Sequence, residues 1–270
     1  MVRKALLLLI LLVFISHSKE LRVYFIDVGE GESILVMSPS GKATLIDAGN
    51  LITGYKVLKF LKSKGINEIE RLIVTHPHPD HMGGVFILLQ SFDVKQWYDN
   101  GQPLEKVSCE DLYRWYGELF RRGNYGVLKA GDRWEEDGAI YEVLSPKRLN
   151  RGWNANSLVI KLTYGKVGFL FMGDANVKAE KELIGSGTDL RSDVLKVGHH
   201  GAGDTLSEEF LRKVKPEYAV ISINRKNIRG YPSKEKVELL KKYGVRLYTT
   251  YEHGTVVFST DGNKIEVWSE

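Results

Sequence analysis

The chain has 270 residues, with 38 Lys and Arg against 34 Asp and Glu and a formal net charge of +4. Without Arg3 and Lys4, which precede an apolar N-terminal run, 36 basic residues face 34 acidic ones; this balance excludes a protein that coats polyanions by bulk charge and leaves nucleic-acid contact to a local basic patch. Cys109 stands alone, which excludes an internal disulfide, and the chain is long enough to bury a core without one.

Residues 1–18 read as a secretory leader. Arg3 and Lys4 open it, the eleven apolar residues ALLLLILLVFI follow, and Ser16 and Ser18 stand at −3 and −1 from Lys19. That run is shorter than the ~20 residues needed to cross a bilayer. An uncleaved anchor at the outer membrane face is the alternative. Under either reading, residues 19–270 form one extracytoplasmic domain without a stable membrane span.

Strands are predicted at LRVYFIDVG, ESILVMS and KATLIDAG, split by Gly-rich or Pro-containing turns. YKVLKFLKSKG spaces Val57, Leu58 and Leu61 at helical period and stops at Gly65; RLIVT reads as a short buried strand. LEKVSCEDLYRWYGELFRRG reads as an amphipathic helix with Leu104, Val107, Leu112, Trp115 and Leu119 on one side. Strands return at GAIYEVLSP, NSLVIKLTYG and KVGFLFMGDA. The chain then alternates: DVLKVG, helix SEEFLRKVK, strand YAVISIN, helix SKEKVELLKKYG, strands RLYTT and GTVVFST. Strand-rich halves with interspersed helices predict an α/β protein of two sheets packed face to face, with helices outside.

The histidines carry the chemistry. Of seven, one lies in the leader, His76, His78 and His81 fall within six positions, His199 and His200 are adjacent, and His253 stands apart in a turn. The H-x-H-x-D-H pattern directly follows a strand. Pro77 and Pro79 bias His76 and His78 to extended geometry, where residues two apart face the same way. His76 and His78 are therefore expected to hold one metal, and Asp80 and His81 a second, with Asp80 capping the next helix. Asp174, ending an apolar strand, is the expected bridging carboxylate.

The run FIDVGEGESILV…LIDAG…VTHPHPDHMGGV…WNANSLVIKLTYGKVGFLFMGDA…LKVGHHGAGDTLSEEFLRKVKPEYAVISI…GYPSKE resembles the metallo-β-lactamase superfamily, and more narrowly the extracytoplasmic hydrolase domain of ComEC-type competence proteins, over about residues 22 to 260. The resemblance implies a four-layer αβ/βα sandwich and two divalent ions, zinc or manganese, that activate water and stabilise the leaving oxygen. It implies a metal and nucleophile-orienting role for Asp80. Asp27 and Asp47 would support the ligand histidines from behind. Of the adjacent pair, His199 is assigned to metal and His200 to the phosphate or leaving group, with the reverse left open. Asn154, Asn156 and Ser157 occupy the place of a ligand histidine in other branches and are assigned to water or substrate. Lys196, Arg225, Arg229 and Tyr231 are assigned to phosphate contact and base stacking.

The sequence departs from the relatives in three places. GYP replaces GHP, putting Tyr231 where a histidine closes the second metal's shell, and a neutral phenol is a poor ligand with a pKa of about 10. Ala202 replaces a serine, and GEGE replaces GQGD while keeping a carboxylate at Glu32. The reading is a secreted metal-dependent phosphodiesterase or nuclease with nucleic acid as substrate and unknown protein partners. The alternatives are hydrolysis of a carboxylic ester, lactone or β-lactam, and a non-catalytic metal- or nucleic-acid-binding module.

Overall fold

The computed structural model describes residues 20–104, 110–121, 123–224 and 228–270. The leader reading, Cys109, Val107 and Arg225 lie outside the described residues. The first strands are β1 (Leu21–Phe25), β2 (Ile34–Met37), β3 (Ala43–Ile46), β4 (Glu68–Ile73), β5 (Asp93–Asp99) and β6 (Tyr125–Val127). A second run comprises β7 (Arg133–Glu136), β8 (Ala139–Ser145), β9 (Val159–Tyr164), β10 (Val167–Phe171), β11 (Val194–Lys196), β12 (Tyr218–Ile221) and β13 (Arg246–Thr249). β14 (Val256–Thr260) and β15 (Ile265–Ser269) close the chain. The eight-stranded sheet has the order β15-β14-β1-β2-β3-β4-β5-β6, and the seven-stranded sheet β13-β12-β11-β10-β9-β8-β7.

Period-two alternation sets the layers. In β1, Leu21, Val23 and Phe25 face the other sheet and meet Phe169, Phe171, Val220 and Phe258 in one buried cluster. Tyr24 and Ile26 face outward and join the cluster beneath α1 (Gly54–Ser63), α2 (Pro79–Met82), α3 (Val85–Ser91) and α4 (Glu110–Leu119). On the far side, Leu170, Leu195 and Ala219 pack against α5 (Val177–Gly185), α6 (Glu208–Val214) and α7 (Lys234–Lys242). The result is the αβ/βα sandwich expected from the sequence. A short α8 (Thr250–His253) interrupts the last predicted strand pair. The predicted helix around 104–123 is described from Glu110. β5, β6, β7 and β15 went unanticipated: β6 and β7 are only three and four residues long, and DVKQWYD and IEVWS lack a strict apolar–polar alternation.

Each sheet is half antiparallel and half parallel. β3, β4, β5 and β6 run parallel, as do β10, β11, β12 and β13. Carboxyl ends of parallel strands open into a crevice whose loops are free to carry function. The histidine motif follows β4, Asp47 follows β3, Asp174 follows β10 and His199–His200 follow β11. Gly83 and Gly84 seat the motif: a Cβ on Gly84 would lie 2.0 Å from the Ala48 carbonyl oxygen, and one on Gly83 2.3 Å from the Leu51 nitrogen.

An ion pair spans the two sheets near the crevice. Lys196 at the end of β11 and Glu32 in the β1–β2 loop are both fully buried, with Nζ 2.5 Å from Oε2. Removing one partner of such a pair strands a buried charge, whereas replacing both with isosteric neutral groups does not. Lys196→Met is therefore expected to destabilise the metal-free protein by about 3–5 kcal/mol. The Glu32→Gln, Lys196→Met double substitution should recover most of that loss, as read from urea unfolding in chelator.

Candidate metal centre

The site is built from the crevice loops. His78 is extended (φ −73°, ψ 145°) as its flanking prolines require, and it precedes α2, which puts Asp80 in the first helical turn; the N-cap position is His78, not Asp80 as expected. His76, His78 and Asp174 form one group of ligand atoms within 4.8 Å of one another; Asp80, His81 and His200 form a second. Asp174 links them: its Oδ2 lies 3.7 Å from His76 Nε2, and its Oδ1 3.2 Å from His81 Nε2 and 3.5 Å from His200 Nε2. His200 Nε2 also lies 3.5 Å from Asp80 Oδ2.

Hydrogen bonds behind the cluster fix which nitrogen faces inward. Asp47 Oδ1 accepts the Thr75 N–H (2.7 Å) and Oδ2 accepts the Thr75 hydroxyl (2.8 Å) and His81 Nδ1–H (2.7 Å). The Thr75 oxygen, having given its proton to Asp47, is left to accept His76 Nδ1–H at 3.1 Å. A carbonyl only accepts, so Ser222 O at 2.8 Å requires His200 Nδ1 to carry its proton. The Nε2 atoms of His76, His81 and His200 thus all face the cavity. His78 presents Nδ1 instead, 2.8 Å from His76 Nε2.

The donor set fits divalent ions. His81 Nε2, His200 Nε2, Asp174 Oδ1 and both Glu32 carboxylate oxygens are buried without a hydrogen-bond partner, an arrangement that is costly unless something binds there. Imidazole with carboxylate suits zinc or manganese. Burial pushes His76 well below the ordinary histidine range and His78 below it, which favours the neutral, ligating form. Burial would lower His81 as well, but Asp174 and Asp47 outweigh it and hold the imidazole well above its usual range. Burial would raise Asp174, yet His81 and His200 keep it well below the carboxylate range.

Of the adjacent histidines, His200 and not His199 lies in the ligand cluster. His199 donates Nδ1–H to Asp204 (2.8 Å), and its Nε2 is engaged by the Asn154 amide at 3.1 Å, so no lone pair is left for an ion. Both residues hold left-handed backbone, at φ 46° and 51°, which costs roughly 1–2 kcal/mol per residue and turns the rings apart. The buried Lys196 is spent on Glu32 and the Val197 carbonyl and cannot reach substrate. Asn156 is fully buried and ties Asn150 to Gln102, and Ser157 Oγ accepts the Asp174 N–H at 3.1 Å; both shape the loop and contact no open cleft. Asp27 Oδ1 accepts the Gly29 N–H in its own turn and makes no hydrogen bond to a ligand histidine.

Arg229 and Tyr231 help line a small, partly open recess with Glu30, Gly31, Asp80, His200, Ile223 and Asn224. Arg229 lies 3.8 Å from Glu30 across its mouth. Burial pushes the Tyr231 phenol above its usual value, which keeps it protonated and unsuited to ligation. On the opposite side Trp153, not assigned from sequence beyond its basic neighbours, packs 5.4 Å from His78, centroid to centroid.

A model of the metallo-β-lactamase superfamily matches residues 26–223, and the chain belongs to that superfamily. Within it, the chain is similar to ComEC-type competence proteins. It is 29% identical to ComE operon protein 3 of Bacillus subtilis (strain 168), over 92% of this chain and 34% of that protein. It is 32% identical to Recombination protein 2 of Haemophilus influenzae, over 90% of this chain and 29% of that one. The chain thus spans about a third of the length of these relatives. Among solved structures, the metallo-β-lactamase fold protein YhfI from B. subtilis matches at TM-score 0.60 and 11% identity, covering 90% of this chain and 100% of that one. A diphosphatase of the PhnP family matches at 0.50 and 15%, covering 93% and 100%. Fold, ligand cluster and kinship make the chain a metallohydrolase of this superfamily.

Asp47 and Asp27 make a paired test of the support network. Asp47→Asn, which removes the acceptor that orients His81, should weaken metal affinity about 10–100-fold in chelator competition. Asp27→Asn should leave it unchanged.

Proposed function

We propose that the chain is a metal-dependent phosphodiesterase acting on DNA or RNA outside the cytoplasm, with residues 1–18 as a leader or anchor. The observation that carries this reading is the convergence of imidazole nitrogens and carboxylate oxygens around Asp174, beside a recess that offers Arg229, Asn224 and Tyr231. When bound there, two divalent ions supply a water nucleophile at neutral pH and offset charge on the departing oxygen. His76, His78 and Asp174 would hold one ion, and Asp80, His81, His200 and Asp174 the other.

The protein's own groups then sort the substrate. Arg229 is half-exposed and held by one loose ion pair to Glu30, so an incoming phosphate oxygen can take it over. The Tyr231 hydroxyl keeps its proton and can donate to a second phosphate oxygen or stack a base. Trp153 forms an aromatic wall on the His78 side, suited to a flanking nucleobase. His199, braced between Asp204 and Asn154, steadies the loop that presents His200. Kinship with competence proteins supports a nucleic-acid substrate, and the PhnP-family diphosphatase supports phosphorus–oxygen hydrolysis on this fold.

The expected result is two metal equivalents in the purified chain by elemental analysis, with DNA or RNA cleavage abolished by chelation and restored by manganese or zinc. Intact nucleic acid at full metal loading would refute the substrate. Arg229→Ala should lower kcat/KM on a phosphodiester by about tenfold or more, matching the ~1.5–3 kcal/mol of a charge-assisted hydrogen bond. Metal content, and any turnover of a carboxylic ester, should not change. Equal losses on both substrate types would favour the ester reading.

A further inference from the structure

We propose that Glu32 is itself a metal ligand, giving the ion held by Asp80, His81 and His200 the contact that Tyr231 cannot. The inference rests on the dinuclear reading above and deepens it.

Glu32 belongs to the loop that lies against the metal-bearing turn. Its N–H donates to the Asp80 carbonyl (3.1 Å), and its carbonyl accepts the Gly49 N–H (2.8 Å). The preceding Gly31, at φ 113°, lets the two backbones touch; a Cβ there would fall 2.3 Å from the Asp80 carbonyl oxygen. The backbone therefore leaves the Glu32 side chain little choice of direction. It enters the cluster, where its ligand atom lies within 4.8 Å of those of His81 and Asp174.

Both Glu32 carboxylate oxygens are buried without a hydrogen-bond partner, and Oε2 lies 2.5 Å from Lys196 Nζ as an ion pair. Glu180 shows how this fold treats a buried glutamate that only braces a loop: Oε1 accepts the Leu206 N–H (2.5 Å) and Oε2 the Ser207 N–H (2.8 Å). A carboxylate that no donor satisfies, grouped with His81 Nε2 and Asp174, is placed for a cation. Lys196 offsets the extra negative charge that a third carboxylate would otherwise add to the cavity. The second ion then has Asp80, Asp174 and Glu32 oxygens with only two imidazoles, an oxygen-rich shell that favours manganese over zinc relative to a histidine-rich one.

The test compares the wild-type chain, Glu32→Gln, and the Glu32→Gln, Lys196→Met double substitution, with folding checked by circular dichroism. Metal equivalents and affinities are read by elemental analysis and chelator competition with Mn2+ and Zn2+. The expected outcome is two equivalents in the wild type, and in the variants an unchanged first equivalent with a second bound at least tenfold more weakly. If Glu32→Gln alone does not fold, the double substitution, which strands no charge, carries the comparison. Independently, the wild-type chain carrying 13C at the glutamate side-chain carboxyl and loaded with Mn2+ should show a ligand-strength 13C coupling by electron–nuclear double resonance. Fewer than two equivalents in the wild type would overturn the dinuclear reading itself. Two equivalents in every protein at equal affinity, with no 13C coupling, would overturn the role of Glu32 and leave the dinuclear reading standing.

Discussion

Charge buried away from water must be opposed at close range, and the crevice of this protein is arranged around that requirement. Four imidazoles and three carboxylates share one cavity, and Asp174 lies within 3.7 Å of three of the imidazoles. Isolated, each ionised group would cost several kcal/mol to desolvate. Together they offset one another in part and leave lone pairs that only a cation can satisfy. The supporting contacts serve the same end: Asp47 and Thr75 hold His81 and His76, the Ser222 carbonyl holds His200, and Ser157 Oγ pins the backbone of Asp174.

The fold delivers these groups by a repeated device. Each sheet contributes antiparallel strands that fill the sandwich interior and parallel strands whose carboxyl ends meet at one rim. The antiparallel portions could vary widely in sequence provided their inward positions stay apolar. The parallel portions are bound more tightly, because a one-residue slip in β4 or β10 would turn the histidine motif or Asp174 away from the crevice.

What was legible in the sequence was what depends on local spacing. His76 and His78 are two apart, with His78 extended before Pro79 and its N–H donating back to the His76 carbonyl, and the strands of both sheet interiors declare themselves by apolar runs. The division of labour between His199 and His200 was not legible. It follows from two left-handed residues in succession, held by the bond from His199 N–H to the Gly173 carbonyl and by Asp204 and Asn154, partners set by tertiary structure. Lys196 misled for a different reason. Lysine is ordinarily exposed, and nothing near it in sequence announces Glu32, which arrives from the other sheet. Asp27 and Asp47 look alike as strand-end aspartates, yet only the second lies behind a histidine.

The chain passes from one sheet to the other at residues 128–132, between β6 and β7, and returns before β14. His76, His78, Asp80 and His81 therefore sit on one lobe of the sandwich, and Asp174 and His200 on the other. Neither lobe alone closes a coordination sphere. An ion seated between them would tie one sheet to the other, so that its binding energy would add to the stability of the sandwich as well as serve the chemistry.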